Sequence, residues 1–173
     1  MGRVKTLPNF LTLLRILLLP FIVVLIIGGY YRVALFLFLL SAFTDFLDGF
    51  IARKYGQITS LGILLDPIAD KLLTSSTLIS LAYVKLCDPF SVIVIVGREE
   101  AITGMRAIAA SRGLVIPASA GGKLKTALIM VSITLILLGV EPWGEFLLVI
   151  SAFVALYTGA LYFYNFFKEL KER

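Results

Sequence analysis

Four aspartates stand out as residues able to do chemistry, all within DFLDGFIARKYGQITSLGILLDPIAD, from Asp45 to Asp70. Asp45 and Asp48 are three apart, and Asp66 and Asp70 four apart, both pairs in otherwise apolar surroundings. Three or four residues is close to one helical turn, so each pair projects from a single helix face. The short polar connection from Arg53 to Ser60 is expected to fold the second of these helices back on the first, presenting four carboxylates to one spot. Four bare anions cannot share a low-dielectric pocket, because like charges and burial both disfavour ionisation. Either they carry protons or divalent cations hold them. Oxygen-only ligands suit hard ions such as Mg²⁺ or Mn²⁺, and Mg²⁺ characteristically shares carboxylates with substrate phosphates.

Other reactive side chains are scarce. The chain contains no histidine, which removes the commonest general base, the usual zinc ligand and any phosphohistidine intermediate. Cys87 is the only cysteine, so an intrachain disulfide is impossible and a thiolate metal site is not expected. Gly122-Lys123 superficially suggests a phosphate-binding loop, but Pro117 stands five before Gly122 and Leu124 replaces the serine or threonine.

The elements that must position these groups are membrane helices. The chain has 173 residues, 60% hydrophobic and only 16% charged, against roughly 25% charged in a soluble domain; the mean hydropathy is +1.00. A bilayer core of about 30 Å takes about 20 residues per helix. Six such spans are expected, Phe10–Ile27, Val33–Ala52, Leu61–Val84, Phe90–Ala110, Leu124–Val140 and Phe146–Phe167. Gly28-Gly29, Gly56, Gly121-Gly122, and Pro142 with Gly144 serve as the breaks before spans two, three, five and six. The first span follows Arg3 and Lys5 like a signal peptide, but Gly28-Gly29-Tyr30-Tyr31 offers no cleavage pattern, so it reads as uncleaved. Short connections make successive helices antiparallel. The expected fold is therefore an all-α integral membrane protein, a six-transmembrane-helix bundle forming one domain over residues 1–173.

Orientation follows from the basic residues. With both termini cytoplasmic, one side collects Arg3, Lys5, Arg15, Arg53, Lys54, Lys71, Arg98, Arg106, Arg112, Lys123, Lys125, Lys168, Lys171 and Arg173; the other keeps Arg32 and Lys85. This asymmetry predicts a multi-pass protein of the cell (inner) membrane with the acidic cluster at its cytoplasmic face. The net charge of +5 calls for no nucleic acid. Anionic membrane lipids and a phosphorylated substrate account for it. Pro67, directly after Asp66, disturbs the turn before it and is expected to lean Asp66 and Asp70 toward Asp45 and Asp48. Gly49 and Gly62 allow close approach of a ligand or a neighbouring backbone.

Written as spacing, the stretch is D45-x2-D48-G49-x2-A52-R53-x8-G62-x3-D66-x3-D70. In this it resembles the CDP-alcohol phosphotransferases, integral membrane enzymes of phospholipid synthesis, at all eight fixed positions. Pro8-Asn9-x-Leu11-Thr12-x2-Arg15, Gly97-Arg98-Glu99-Glu100 with Arg106, and Gly122-Lys123-x-Lys125-Thr126 are similar to the phosphatidylglycerophosphate synthase branch. The resemblance implies six transmembrane helices, a homodimer and a cytoplasm-facing polar cavity with a two-metal site. It implies that Asp45, Asp48, Asp66 and Asp70 bind the two Mg²⁺ or Mn²⁺ ions, with Asp70 also the base. By the same resemblance Gly49, Ala52, Arg53 and Gly62 contact the cytidine nucleotide, with Asn9 and Thr12 as further candidates. The branch implies CDP-diacylglycerol as donor and glycerol 3-phosphate as acceptor.

The residues themselves suit that chemistry. Carboxylate-held cations could clamp a diphosphate, and Asp70 could take the proton of an attacking hydroxyl in a direct displacement. Arg53 suits a nucleotide phosphate. Arg106, Lys123 and Lys125 are the natural basic pocket for the acceptor's phosphate, with Arg98 a further candidate. Lys123 and Lys125 have positive-inside anchoring as a rival reading, and Glu99 and Glu100 could be a solvated helix end. Serine or inositol phosphate as acceptor are alternatives within the family. From other classes, a divalent-cation transporter would also show acids inside spans, and a noncatalytic lipid-binding subunit would lose no activity with Asp45→Ala.

Overall fold

In the computed structural model, which describes residues 7–55, 60–111 and 120–171, all regular structure is helical. Six helices follow in order: α1 Leu7–Ile27, α2 Tyr31–Tyr55, α3 Ser60–Tyr83, α4 Pro89–Ser111, α5 Ala120–Leu138 and α6 Trp143–Lys171. Three of them, over Asn9–Ile27, Gly121–Leu138 and Trp143–Lys168, are long and apolar enough to cross a membrane. In α3 and α4 the apolar run is interrupted by Asp66, Asp70 and Lys71 and by Arg98, Glu99, Glu100 and Arg106.

The helix ends follow from local chemistry. Gly29 adopts φ +79°, open to glycine at no steric cost. There Tyr30 N donates to Leu25 O and Gly29 N to Ile26 O, closing α1 with two carbonyls satisfied. Gly139, at φ +75°, closes α5 in the same way, with Val140 N on Leu135 O and Gly139 N on Ile136 O. At the start of α4, Asp88 accepts from Ser91 N at 2.8 Å and Phe90 N at 3.2 Å, and Pro89 takes the first helical position, where its missing N–H costs nothing. α3 runs through Pro67. The proline deprives the carbonyl four residues earlier of its helical donor.

One sequence expectation is corrected. Gly121-Gly122 was expected to break the chain before span five, yet α5 begins at Ala120 and contains both. A Cβ on Gly121 would stand 2.6 Å from Thr158 Cγ2, so the glycine lets α5 and α6 approach closely instead of ending a helix.

By its contacts the chain divides into two compact units, Met1–Val84 and Lys85–Arg173. In the first, α1 packs along both α2 and α3, and among the described residues fewer contacts join α2 to α3 directly. In the second, α6 packs along both α4 and α5, with Ile102, Met105, Ala109, Tyr162 and Phe166 forming one apolar cluster.

α1 is more polar inside than outside. Phe10, Leu13, Leu17, Phe21 and Val24 form an exposed stripe, while Asn9, Thr12 and Arg15 are buried beside Ile22 and Ile26. α6 repeats the pattern, exposing Phe153, Tyr157, Tyr164 and Phe167 and burying Ser151 and Thr158. Large apolar side chains on the outside with small and polar groups between helices are the arrangement a lipid solvent favours.

Candidate active site

Asp45, Asp66 and Asp70 of the first unit gather around α1. Thr12 and Arg15 are three apart and so share a face of that helix. Arg15 Nη1 donates to Asp45 Oδ1 at 2.6 Å and to Asp70 Oδ1 at 2.7 Å. The two carboxylate oxygens, from α2 and α3, therefore lie no farther apart than these two lengths together. Thr12 Oγ1 donates to Asp66 Oδ1 at 2.7 Å. The Arg15 side chain is fully buried, whereas those of Asp45 and Asp70 are 38% and 50% exposed. The cation is thus enclosed by protein while the acids face partly outward, open to a ligand. Gly62 is buried on α3.

Asp48, Gly49, Ala52 and Arg53 fall on the last turns of α2, and what their side chains do lies outside the described residues. Among the described residues no three acidic, cysteine or histidine side chains form a metal-holding group. The donors present nevertheless fit a hard divalent ion. They are carboxylate oxygens, and two of them already converge on a positively charged nitrogen.

Arg15, read from sequence with the basic residues on the membrane side of the acidic cluster, is buried on two of those acids, a pairing the spacing alone did not specify. A single arginine inside an apolar run, in a chain whose other runs hold aspartates, was the signal available, since such a charge needs a partner.

In the second unit the predicted phosphate-binding residues have the following partners. Lys125 is buried and pairs with Glu99 Oε1. Arg98 Nη1 donates to the same oxygen at 3.0 Å, and its Nη2 reaches Thr158 Oγ1 at 3.4 Å. Arg106 is exposed on α4, with Nε donating to Tyr162 OH at 3.1 Å and Cζ 5.4 Å from that ring's centroid. Lys123 is exposed near the start of α5. The structure thus brings Lys125 and Arg98 to one carboxylate, and it gives Arg106 a partner on α6.

A helical chain with apolar outward stripes and aspartates converging between its helices is a membrane-adapted protein with an acidic site. The sequence matches the CDP-alcohol phosphatidyltransferase profile over residues 5–159, and the chain belongs to that family. It is similar to the CDP-diacylglycerol–glycerol-3-phosphate 3-phosphatidyltransferase of Rickettsia typhi, 37% identical over 96% of this chain and 98% of the relative. The Bacillus subtilis protein of the same name is 33% identical over 95% of this chain and 97% of its own. A probable phosphatidylglycerophosphate synthase of Mycobacterium tuberculosis is 41% identical over 79% of this chain and 68% of its own length.

Proposed function

We propose that this protein is a CDP-diacylglycerol–glycerol-3-phosphate 3-phosphatidyltransferase, joining glycerol 3-phosphate to the phosphatidyl group of CDP-diacylglycerol and releasing CMP. The observation that carries the reading is the convergence of Asp45 and Asp70 on one half-open point, in a chain that matches enzymes of that name over nearly its full length.

Asp45, Asp48, Asp66 and Asp70 would hold two Mg²⁺ or Mn²⁺ ions, which when bound supply positive charge to the diphosphate and to the departing CMP. Asp70 accepts the proton of the acceptor's primary hydroxyl. That oxygen forms its bond to the lipid-bearing phosphorus as the bond from phosphorus to the CMP oxygen breaks, in one in-line displacement. With no histidine in the chain, a phosphohistidine intermediate has no residue to form on. Gly49, Ala52, Arg53 and Gly62 bind the nucleotide, Arg53 pairing with its phosphate. Arg106, Lys123 and Lys125 receive the acceptor's phosphate, a role compatible with the exposed Arg106 and Lys123. For Lys125 it requires the ammonium to be shared with Glu99.

The two units act as a single six-span domain, and the family profile extends across both. The basic-residue asymmetry supports a cytoplasm-facing polar cavity at the inner membrane, and the protein works as a homodimer. Detergent-solubilised protein incubated with CDP-diacylglycerol, Mg²⁺ and glycerol 3-phosphate, serine or inositol phosphate tests the reading. The expected lipid product is phosphatidylglycerophosphate; preferential use of serine would overturn the acceptor and the basic pocket together.

A further inference from the structure

Arg15 joins acids carried by two different helices. α2 and α3 flank α1, and Asp45 on α2 and Asp70 on α3 both accept hydrogen bonds from Arg15 Nη1. The arginine side chain has no exposed surface. Such burial of a guanidinium is costly unless acids and hydrogen bonds surround it, so its place is dictated by the fold. One turn earlier on the same face, Thr12 fixes Asp66. A single face of α1 therefore addresses three of the four aspartates singled out in the sequence.

We infer that Arg15 is a positioning residue for the reaction, setting through one nitrogen the separation at which Asp45 and Asp70 meet a divalent cation. The inference rests on these aspartates being metal ligands, as proposed above. Two carboxylates this close repel each other. Arg15 supplies both the opposing charge and the shared hydrogen-bond donor. Its loss leaves the ligands present but no longer held at one spacing, and removing groups that orient metal ligands typically weakens binding by about 10–100-fold.

The test is equilibrium Mn²⁺ binding to the detergent-solubilised full chain without lipid substrates, reading unbound Mn²⁺ by its paramagnetic resonance signal. Arg15→Gln is expected to bind Mn²⁺ at least about tenfold more weakly than the unsubstituted protein. Arg15→Lys, which keeps the charge on a shorter side chain, should fall between them. In turnover, the Mn²⁺ concentration for half-maximal CMP release should move in parallel, while the KM for glycerol 3-phosphate changes by less than about twofold. A purely structural arginine would lower the unfolding temperature and leave Mn²⁺ affinity in place. Equal or tighter binding by Arg15→Gln overturns the inference, because the guanidinium would then be inert or a competitor of the cation. Should that variant not fold, Arg15→Lys and Thr12→Val are read by the same measurement, and Mn²⁺ affinity unchanged in both overturns it equally. Absence of Mn²⁺ binding by the unsubstituted protein instead sinks the metal-ligand reading, and the inference with it.

Discussion

Lys125 and Glu99 form an ion pair inside the second unit, and the glutamate oxygen that receives the ammonium also accepts a hydrogen bond from Arg98. Two cations thus share one carboxylate. Removing the anion leaves both without it, whereas removing the lysine leaves Glu99 still matched by Arg98. Glu99→Gln is therefore expected to cost about 3 kcal/mol, the lower end for breaking a buried pair. Lys125→Met should cost about 1–2 kcal/mol. Thermal unfolding in micelles should rank Glu99→Gln below Lys125→Met. If Lys125 also binds the acceptor, Lys125→Met raises the KM for glycerol 3-phosphate by about tenfold or more with a smaller change in kcat. An unchanged KM would leave Lys125 with its structural pairing only.

The proposed reaction gives proton removal to Asp70. Asp70→Asn keeps nearly the same shape and a hydrogen-bond acceptor for Arg15, but it cannot take a proton. CMP release is expected to fall by about 10²–10⁴-fold. Chelation with EDTA should abolish turnover in the unsubstituted protein, with recovery on adding Mg²⁺ or Mn²⁺. Turnover of Asp70→Asn at the unsubstituted rate would remove Asp70 as the base.

What the sequence disclosed, and what it hid, depends on whether a feature is local. Gly28-Gly29 and the long apolar runs declare α1 and its end, because helix length and a positive-φ glycine are properties of neighbouring residues. Asp66 and Asp70 declare their shared face through their spacing of four. Arg15 does not declare its partners, which lie 30 and 55 residues away. Nor does the pattern show that α1 packs along both α2 and α3. Gly121 misleads for another reason. A glycine that ends a helix and one that admits a neighbouring helix look alike in sequence, and only Thr158 at its side tells them apart.

Tyr162 directs Arg106. Its buried ring packs with Ile102, Met105, Ala109 and Phe166, and its hydroxyl accepts from Arg106 Nε. Tyr162→Phe retains the ring beneath the guanidinium and deletes only the hydrogen bond. The stability loss should be about 1 kcal/mol. The KM for glycerol 3-phosphate should rise by about three- to tenfold, less than for Arg106→Ala, which removes the charge as well. Steady-state kinetics at saturating CDP-diacylglycerol separates these cases. Equal KM values for Tyr162→Phe and Arg106→Ala would show that orientation and not charge is what the site needs from this pair.

The start of α4 carries a pH dependence whose sign is fixed by Asp88. Hydrogen bonds from the Ser91 backbone and side chain, helped by one from Phe90 N, hold its carboxyl below its ordinary value of 3.8 against the opposing effect of desolvation. A carboxyl that is more acidic folded than unfolded contributes stability that is fully present above the unfolded value. That contribution disappears as pH falls through the folded value, below 3.8. Asp88→Asn preserves an oxygen for the helix start but cannot titrate. Unfolding temperatures from pH 6 downward should therefore fall less steeply in Asp88→Asn than in the unsubstituted protein once pH drops under about 4. Parallel curves would mean that the carboxylate's charge adds nothing to the cap beyond its hydrogen bonds.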